Sequence, residues 1–243
     1  MHILGRWIRE NAPDVLCLQE TKVADGEFPA AEFNDLGYRA VFRGEKSYNG
    51  VAVLSRHEIE EASYGFDGAG ADEGSRLLAV RVRGIDIVTT YVPQGTSPES
   101  ERFQHKLRWF RRLGEYFSGR YRPSGRIVWA GDFNVAPEAI DVHNPKRLLG
   151  HVGFHPDEHR ELAAVKAWGF TDIFRKHHPE PGHYTFFDYR VRDSVARGLG
   201  WRVDHIWATE PLAAGSIDAW IDTAPRTGER PSDHTPVVAE FSE

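Results

Sequence analysis

Apolar and polar positions alternate along this chain with two periods, and the switches between them mark out the elements. Ile3, Leu4, Trp7 and Ile8 recur at helical spacing between Ile3 and Asn11, and Pro13 ends that predicted helix. Val15 to Gln19 is a short apolar run that predicts a strand, closed by the polar Glu20-Thr21-Lys22. Pro29 to Leu36 reads as a helix, and Tyr38 to Phe42 and Gly50 to Ser55 as strands joined by a polar loop. Tyr64 to Ser75, rich in glycine, alanine and acids, reads as loop. Leu77 to Arg83 and Ile85 to Val92 alternate about Gly84, which is the pattern of a hairpin. Glu99 to Phe117 is the longest helical stretch, and its stripe of Phe103, Leu107, Phe110, Leu113 and Phe117 belongs to the core.

The second half opens on Ile127-Val128-Trp129-Ala130-Gly131-Asp132-Phe133-Asn134, a buried strand that Gly131 is expected to end. Two outcomes are open for the acid and amide after it. If the chain stays extended for one more step, Asp132 and Asn134 face the same cavity and Phe133 turns to the core. Otherwise they form an Asx-type turn that caps the strand. A long polar connection follows from Pro137 to Pro156, then a helix from Glu158 to Trp168 and a short element from Phe170 to Arg175. Tyr184 to Arg190 is an aromatic run that suits a strand or a structured loop. Trp201 to Ala208, Ile217 to Ile221 and Pro236 to Phe241 read as strands. Many strands with a few helices between them predict mixed α/β layers with sheet packed on sheet. No repeat and no linker composition divides the chain, so residues 1–243 are expected to form one domain.

Composition changes this picture little. The chain has 243 residues, 40% of them hydrophobic and 12% aromatic, enough for a sizeable core. No apolar run approaches membrane-spanning length and no secretory leader opens the chain, so a cytoplasmic protein without membrane contact is the expectation. The single cysteine, Cys17, excludes an internal disulfide. The net charge of −6 argues against non-specific polyanion binding, but its distribution is uneven. Arg102, Lys106, Arg108, Arg111, Arg112, Arg120, Arg122 and Arg126 crowd one stretch, and Arg190, Arg192, Arg197 and Arg202 a second. Such patches fit a phosphate-bearing partner, and a solvated helix face accounts for the first equally well.

Polar residues recur at predicted strand ends: Glu20, Tyr91, Asp132, Asn134, Asp204, Asp233 and His234. Hard carboxylate oxygens suit Mg2+ or Mn2+, and no Cys/His spacing suits zinc. An acid that accepts a proton from water, with a histidine to stabilise developing charge, is equipment for phosphodiester hydrolysis. Asp204 in an apolar strand needs a partner, and His234 supplies one.

The ordered set Leu18-Gln19-Glu20-Thr21-Lys22, Tyr91-Val92-Pro93, Gly131-Asp132-Phe133-Asn134, Trp201-Arg202-Val203-Asp204-His205 and Ser232-Asp233-His234-Thr235-Pro236 resembles the exonuclease III family of apurinic/apyrimidinic endonucleases, within the endonuclease/exonuclease/phosphatase superfamily. Ile140 to Lys146 and Tyr184 to Arg190 match as well, so the resemblance runs nearly the whole length. It implies a four-layer α/β sandwich of two packed mixed sheets flanked by helices, similar to deoxyribonuclease I. It also implies a monomeric, Mg2+-dependent nuclease (Mn2+ as substitute) that cuts double-stranded DNA on the 5′ side of abasic sites and trims 3′ ends.

Carried over residue by residue, the resemblance makes Glu20 the principal metal ligand, steadied by Lys22, with Asp233 serving a second metal position or leaving-group protonation. Asp132 orients or deprotonates the attacking water, Asn134 positions the scissile phosphate, and Tyr91 contacts the phosphate or the leaving group. His234, held by Asp204, stabilises charge on a non-bridging oxygen. Phe186, Trp201 and Val203 line a small apolar pocket that admits a base-less sugar, with Arg190 at its rim. Lys146, Arg147 and the arginines near Arg190 contact backbone phosphates.

One departure stands out. Relatives begin with a strand of the form Ile-x-x-Trp-Asn-Val-Asn, whereas Met1-His2-Ile3 already begins in the helix that follows it. A start placed too far downstream and a truncated, impaired protein are the two explanations, and the first is preferred because a missing core strand leaves neighbours unpaired. The alternative functions are a Mg2+-dependent phosphoesterase acting on a phospholipid or inositol phosphate, and a DNA-binding protein without catalysis.

Overall fold

The computed structural model of the chain describes residues 2–46, 48–66 and 74–242. The chain forms two compact units, Met1–Tyr91 with Arg126–Asp132, and Val92–Gly125 with Phe133–Glu243. No described helix is long and apolar enough to cross a membrane.

The first unit contains α1 (His2–Asn11), β1 (Val15–Gln19), α2 (Ala30–Asp35), β2 (Arg39–Glu45), β3 (Tyr48–Ser55), β4 (Glu61–Tyr64), β5 (Leu77–Val82), β6 (Ile85–Tyr91) and, after a long excursion, β7 (Ile127–Asp132). β3 lies between β1 and β2 in an antiparallel sheet. β4, β5 and β6 pair antiparallel, and β7 joins β6 in parallel. The inward faces of the two sheets meet in one apolar cluster of Val51, Val53, Leu78, Val80, Val82 and Ile87. This is the expected sheet-on-sheet packing, driven by alternation that puts every second side chain out of water.

Several boundaries differ from the sequence reading, each for a local reason. The loop expected between Phe42 and Gly50 is much shorter, because β2 and β3 extend to Glu45 and Tyr48. Tyr64 is in β4 rather than in a loop, and the rest of that expected loop, 67–73, lies outside the described residues. The β5–β6 turn places Arg83 at φ 51° and Gly84 at φ 70°, the paired positive angles of a type I′ hairpin. Gly131 does not end β7: the strand runs on to Asp132. The glycine is needed because a Cβ there would lie 2.2 Å from the Thr90 carbonyl oxygen of β6.

The second unit holds α3 (Glu101–Arg120), α4 (Pro145–Leu148), α5 (Pro156–Ala167), β8 (Phe170–Asp172), α6 (Ile173–His177), β9 (Asp204–Thr209), α7 (Glu210–Ala213), β10 (Ser216–Ile221) and β11 (Val237–Phe241). β8 pairs with β9 and β10 with β11, both antiparallel. Ser100 caps α3 by accepting the Phe103 amide at 3.1 Å, and the predicted aromatic stripe of α3 is buried.

Two ion networks lie inside this unit. Lys106, expected among the basic residues of an exposed face, is fully buried and pairs with Glu158 at 2.5 Å. Arg202 is also fully buried, between Asp141 (2.7 Å) and Asp172 (2.8 Å). Burial alone would raise both carboxyls, yet Arg202 holds them below the usual carboxylate range. The arginines of the second basic stretch therefore divide: Arg190 is at the surface and Arg202 is core.

Candidate active site

In the first unit, the chain leaves β1 through Glu20-Thr21-Lys22 with Glu20 at φ 54° and Lys22 at φ 55°. Left-handed backbone is costly for side chains of this kind and persists only where neighbours impose it. Asn49 and Gly50 impose it: the Lys22 amide donates to the Asn49 carbonyl at 3.0 Å, and a Cβ on Gly50 would lie 2.0 Å from the Thr21 hydroxyl oxygen. Glu20 so presented binds Lys22 at 2.6 Å and accepts from the Tyr91 hydroxyl at the end of β6.

Tyr91 is set by more than that contact. Its ring lies 4.9 Å from the Arg76 guanidinium carbon, and Arg76 Nη1 donates to the Tyr91 carbonyl at 3.2 Å. Burial raises the pKa of Tyr91 above the ordinary tyrosine value, and the hydrogen bond to Glu20 and the charges of Glu20 and Asp132 raise it further. Asp132, only 4% exposed at the end of β7, therefore contributes negative charge to the same neighbourhood as Glu20. Burial lowers the Arg76 value, and the same acids partly offset this. Two carboxylates with oxygen donors and one tyrosine hydroxyl suit a hard divalent cation, with Glu20 as the accessible ligand.

In the second unit, Asn134 is at φ 51°, so the backbone leaves the extended conformation there. Phe133 is buried against Trp207, as expected. The Asn134 amide nitrogen donates to the Val92 carbonyl at 2.8 Å, and Lys106 Nζ donates to the Asn134 carbonyl at 2.8 Å.

Asp204 begins β9 and accepts from His234 Nδ1 at 2.8 Å. Thr185 fixes both partners: its hydroxyl oxygen accepts the Val203 and Asp204 amides at 3.1 Å each, and its carbonyl accepts the Thr235 amide at 2.8 Å. Phe186 forms bridges to Trp201 and His234, and its ring centroid is 5.1 Å from the His234 ring. The aromatic run from Tyr184 is thus a structured loop. Trp201 packs against the buried Ala136, Val142 and Phe154. Gly153 lies beside the Trp201 ring, where a Cβ would make an ordinary contact at 3.4 Å, so it is the backbone at φ 89° that calls for glycine there.

The predicted residues are therefore not all alike. Glu20, Lys22 and Tyr91 come together in the first unit, and Asp204, His234, Phe186 and Trp201 in the second. Lys146 is on the exposed surface of α4. Arg190 is 89% exposed and paired with Asp188 at 2.7 Å. Asp233 is seen through its backbone, which accepts the Phe187 amide at 2.9 Å. Three further residues escaped the sequence reading: Arg76, Lys106 and Thr185. Thr185 stands inside the quoted aromatic motif, so a signal existed there. Arg76 and Lys106 act through contacts distant in sequence, which no local pattern carries.

The sequence pattern of the endonuclease/exonuclease/phosphatase family matches residues 1–234. The chain belongs to this family. It is 33% identical to exodeoxyribonuclease III of Haemophilus influenzae over 252 residues, covering 99% of this chain and 94% of that protein. An AP endonuclease from Archaeoglobus fulgidus superposes with a TM-score of 0.97 at 48% identity, covering 100% of this chain and 94% of that one. A 3′ phosphatase from Neisseria bound to a product DNA hairpin superposes with a TM-score of 0.93 at 35% identity, covering 99% and 93%. The resemblance read from the motifs and the mixed α/β fold it implied are both borne out.

Proposed function

We propose that this chain is a metal-dependent DNA repair nuclease, which hydrolyses the phosphodiester on the 5′ side of abasic sites and removes nucleotides or blocks from 3′ ends of duplex DNA. The observation that carries this reading is the His234–Asp204 pair at 2.8 Å, with the His234 ring against Phe186, in a chain of this family. The names of its relatives, an exodeoxyribonuclease, an AP endonuclease and a 3′ phosphatase holding DNA, support the same substrate. The family match runs through both units, which supports treating 1–243 as one catalytic domain. We read it as a monomer that works in the cytoplasm.

The residues divide the work. Asp204 holds the Nδ1 hydrogen of His234, which orients the ring and stabilises its protonated form, so the other ring nitrogen can donate to a non-bridging phosphate oxygen as charge develops. Asp132, shielded at its strand end, takes a proton from the attacking water. Asn134, its carboxamide oriented by Val92, positions the scissile phosphate. Tyr91 keeps its proton and serves as a donor to the phosphate or the leaving oxygen.

Glu20 holds the divalent ion, Mg2+ by preference with Mn2+ as substitute, and Asp233 assists it. When bound, the ion supplies positive charge to the phosphoryl oxygens. Phe186 and Trp201 form the apolar seat for a base-less sugar, which leaves the stack at little cost because no base is lost from it. Lys22, Lys146 and Arg190 contact backbone phosphates, giving position without sequence preference.

Incision of a duplex with a single abasic site, with Mg2+ and with chelator, tests the reading. Mg2+-dependent cleavage on the 5′ side supports it, and cleavage of an inositol phosphate with the duplex left intact would overturn it.

A further inference from the structure

We propose that His178, Glu180 and His183 form a second metal site, selective for Zn2+ or a similar nitrogen-seeking divalent ion and distinct from the Mg2+ chemistry of Glu20. The three side chains belong to His178-Pro179-Glu180-Pro181-Gly182-His183, between α6 and the aromatic loop that starts at Tyr184. One ligand atom from each lies within 4.8 Å of the others. His178 Nδ1 is 3.2 Å and His183 Nε2 is 2.9 Å from the same carboxylate oxygen, Glu180 Oε1. Two donors each about 2.0–2.1 Å from a tetrahedral zinc ion stand roughly 3.4 Å apart, so small movements convert these contacts into a coordination sphere.

The tautomer of His178 favours a cation. Its Nε2 is 2.6 Å from the Ala219 carbonyl of β10, an acceptor that requires the hydrogen on Nε2. In the neutral ring, Nδ1 then carries a lone pair, and it faces a carboxylate oxygen. Two acceptors at that distance need a positive centre between them, a proton or a metal ion. A ring nitrogen hydrogen-bonded to a backbone carbonyl, with the other ring nitrogen turned to the ion, is the common outer-sphere arrangement of zinc-binding histidines.

The scaffold holds this geometry before any ion arrives. The His178 ring stacks on Phe174 at 4.8 Å, and His183 meets the same ring edge-on at 5.3 Å. Arg175 Nη1 donates to the carbonyls of His178 (2.9 Å) and Glu180 (2.7 Å), and its own charge is matched by Asp141. Pro179 and Pro181 restrict the backbone on both sides of Glu180. The side chains remain 30%, 52% and 34% exposed, so an ion can enter from solvent and keep a water ligand. Imidazole donors exclude Mg2+ as the preferred occupant. Occupancy would tie the start of the Tyr184–Phe187 loop to α6.

The test is a Zn2+ titration by calorimetry of the whole chelator-stripped protein in excess Mg2+, repeated with Co2+ and read by visible absorption. Glu180→Gln and His183→Ala are each expected to weaken Zn2+ binding by roughly tenfold or more. Both should lose the Co2+ band and the Zn2+-induced rise in melting temperature, and both should keep Mg2+-dependent activity and a wild-type circular dichroism spectrum. Unchanged Zn2+ binding in both variants would overturn the proposal, as would Zn2+ binding lost in Glu20→Ala alone.

Discussion

The hydroxyl of Tyr91 donates to the carboxylate of Glu20, and the ring that carries it lies under the Arg76 guanidinium. Burial and the two nearby carboxylates keep that hydroxyl protonated well beyond the ordinary tyrosine range. Tyr91→Phe retains the ring under Arg76 and removes the donor. A fall in kcat of roughly 10²-fold is expected, typical of losing a positioned proton donor. Wild-type pH–rate profiles should show no break from Tyr91 near pH 10. A Tyr91→Phe enzyme with unchanged kcat would remove Tyr91 from the chemistry.

The His234–Asp204 pair leads to a paired substitution. His234→Gln and Asp204→Asn are each expected to lower kcat by roughly 10²- to 10⁴-fold, and the double variant should be little worse than either single one, because the two act as a unit. Steady-state kinetics on an abasic duplex measure this. Fully additive losses would mean that Asp204 does not work through His234.

His205 gives the chain an acid-sensitive core. Burial first, and the charge of Arg202 next, lower its pKa to about 4 from the ordinary histidine value of 6.5. The unfolded chain therefore binds a proton there that the folded chain refuses between those two values. Stability is fully present above pH 6.5 and falls as pH drops toward 4, by on the order of 3 kcal/mol. Urea melts across that window measure the slope, and in His205→Gln this part of the slope should vanish. Asp141 and Asp172 titrate lower still and add their loss below it.

Buried charge provides the next comparison. Lys106→Met leaves Glu158 fully buried without its cation, and a loss of about 3–5 kcal/mol is expected. Lys106→Met with Glu158→Gln should recover part of that stability, because the neutral side chain removes the buried charge and keeps an acceptor for the Gly153 amide. It should not restore full activity, because the carbonyl of Asn134 still lacks its Lys106 donor. Melting and turnover together check this, and full activity in the double variant would show that Lys106 serves stability alone.

Glycine placement separates need from tolerance. Gly131→Ala drives a Cβ into the Thr90 carbonyl at a φ of 132°, and a loss of at least about 2 kcal/mol is expected. Gly119 in α3 has nothing within 4 Å, so Gly119→Ala should stabilise by about 0.5 kcal/mol. Thermal melts of the two variants should move in opposite directions.

What the chain reveals by itself follows from the range of the forces involved. β1, the β5–β6 hairpin and α3 are legible because their signals are local: a short apolar run, two strands about a glycine turn, and an apolar stripe at helical spacing. β4 is not, because Glu61-Ala62-Ser63-Tyr64 is only four residues long, carries no large aliphatic side chain, and owes its strand to pairing with β5. The bend at Asn134 is likewise set by Val92 and Lys106, which are far away in sequence. At the site, Glu20, Tyr91, Asn134, Asp204 and His234 are marked by their motifs. Arg76, Lys106 and Thr185, which hold them, become visible only once the chain is folded.

The central claim rests on one product analysis. An end-labelled duplex with a single abasic site, incubated with the protein in Mg2+, should be cut on the 5′ side of that site to leave a 3′ hydroxyl. Chelator should abolish the cut, Asp132→Asn should slow it by roughly 10²-fold or more, and the matching intact duplex should not be incised internally. Tight binding of the abasic duplex in Mg2+ with no strand cut, or a cut that survives chelator, would contradict the account.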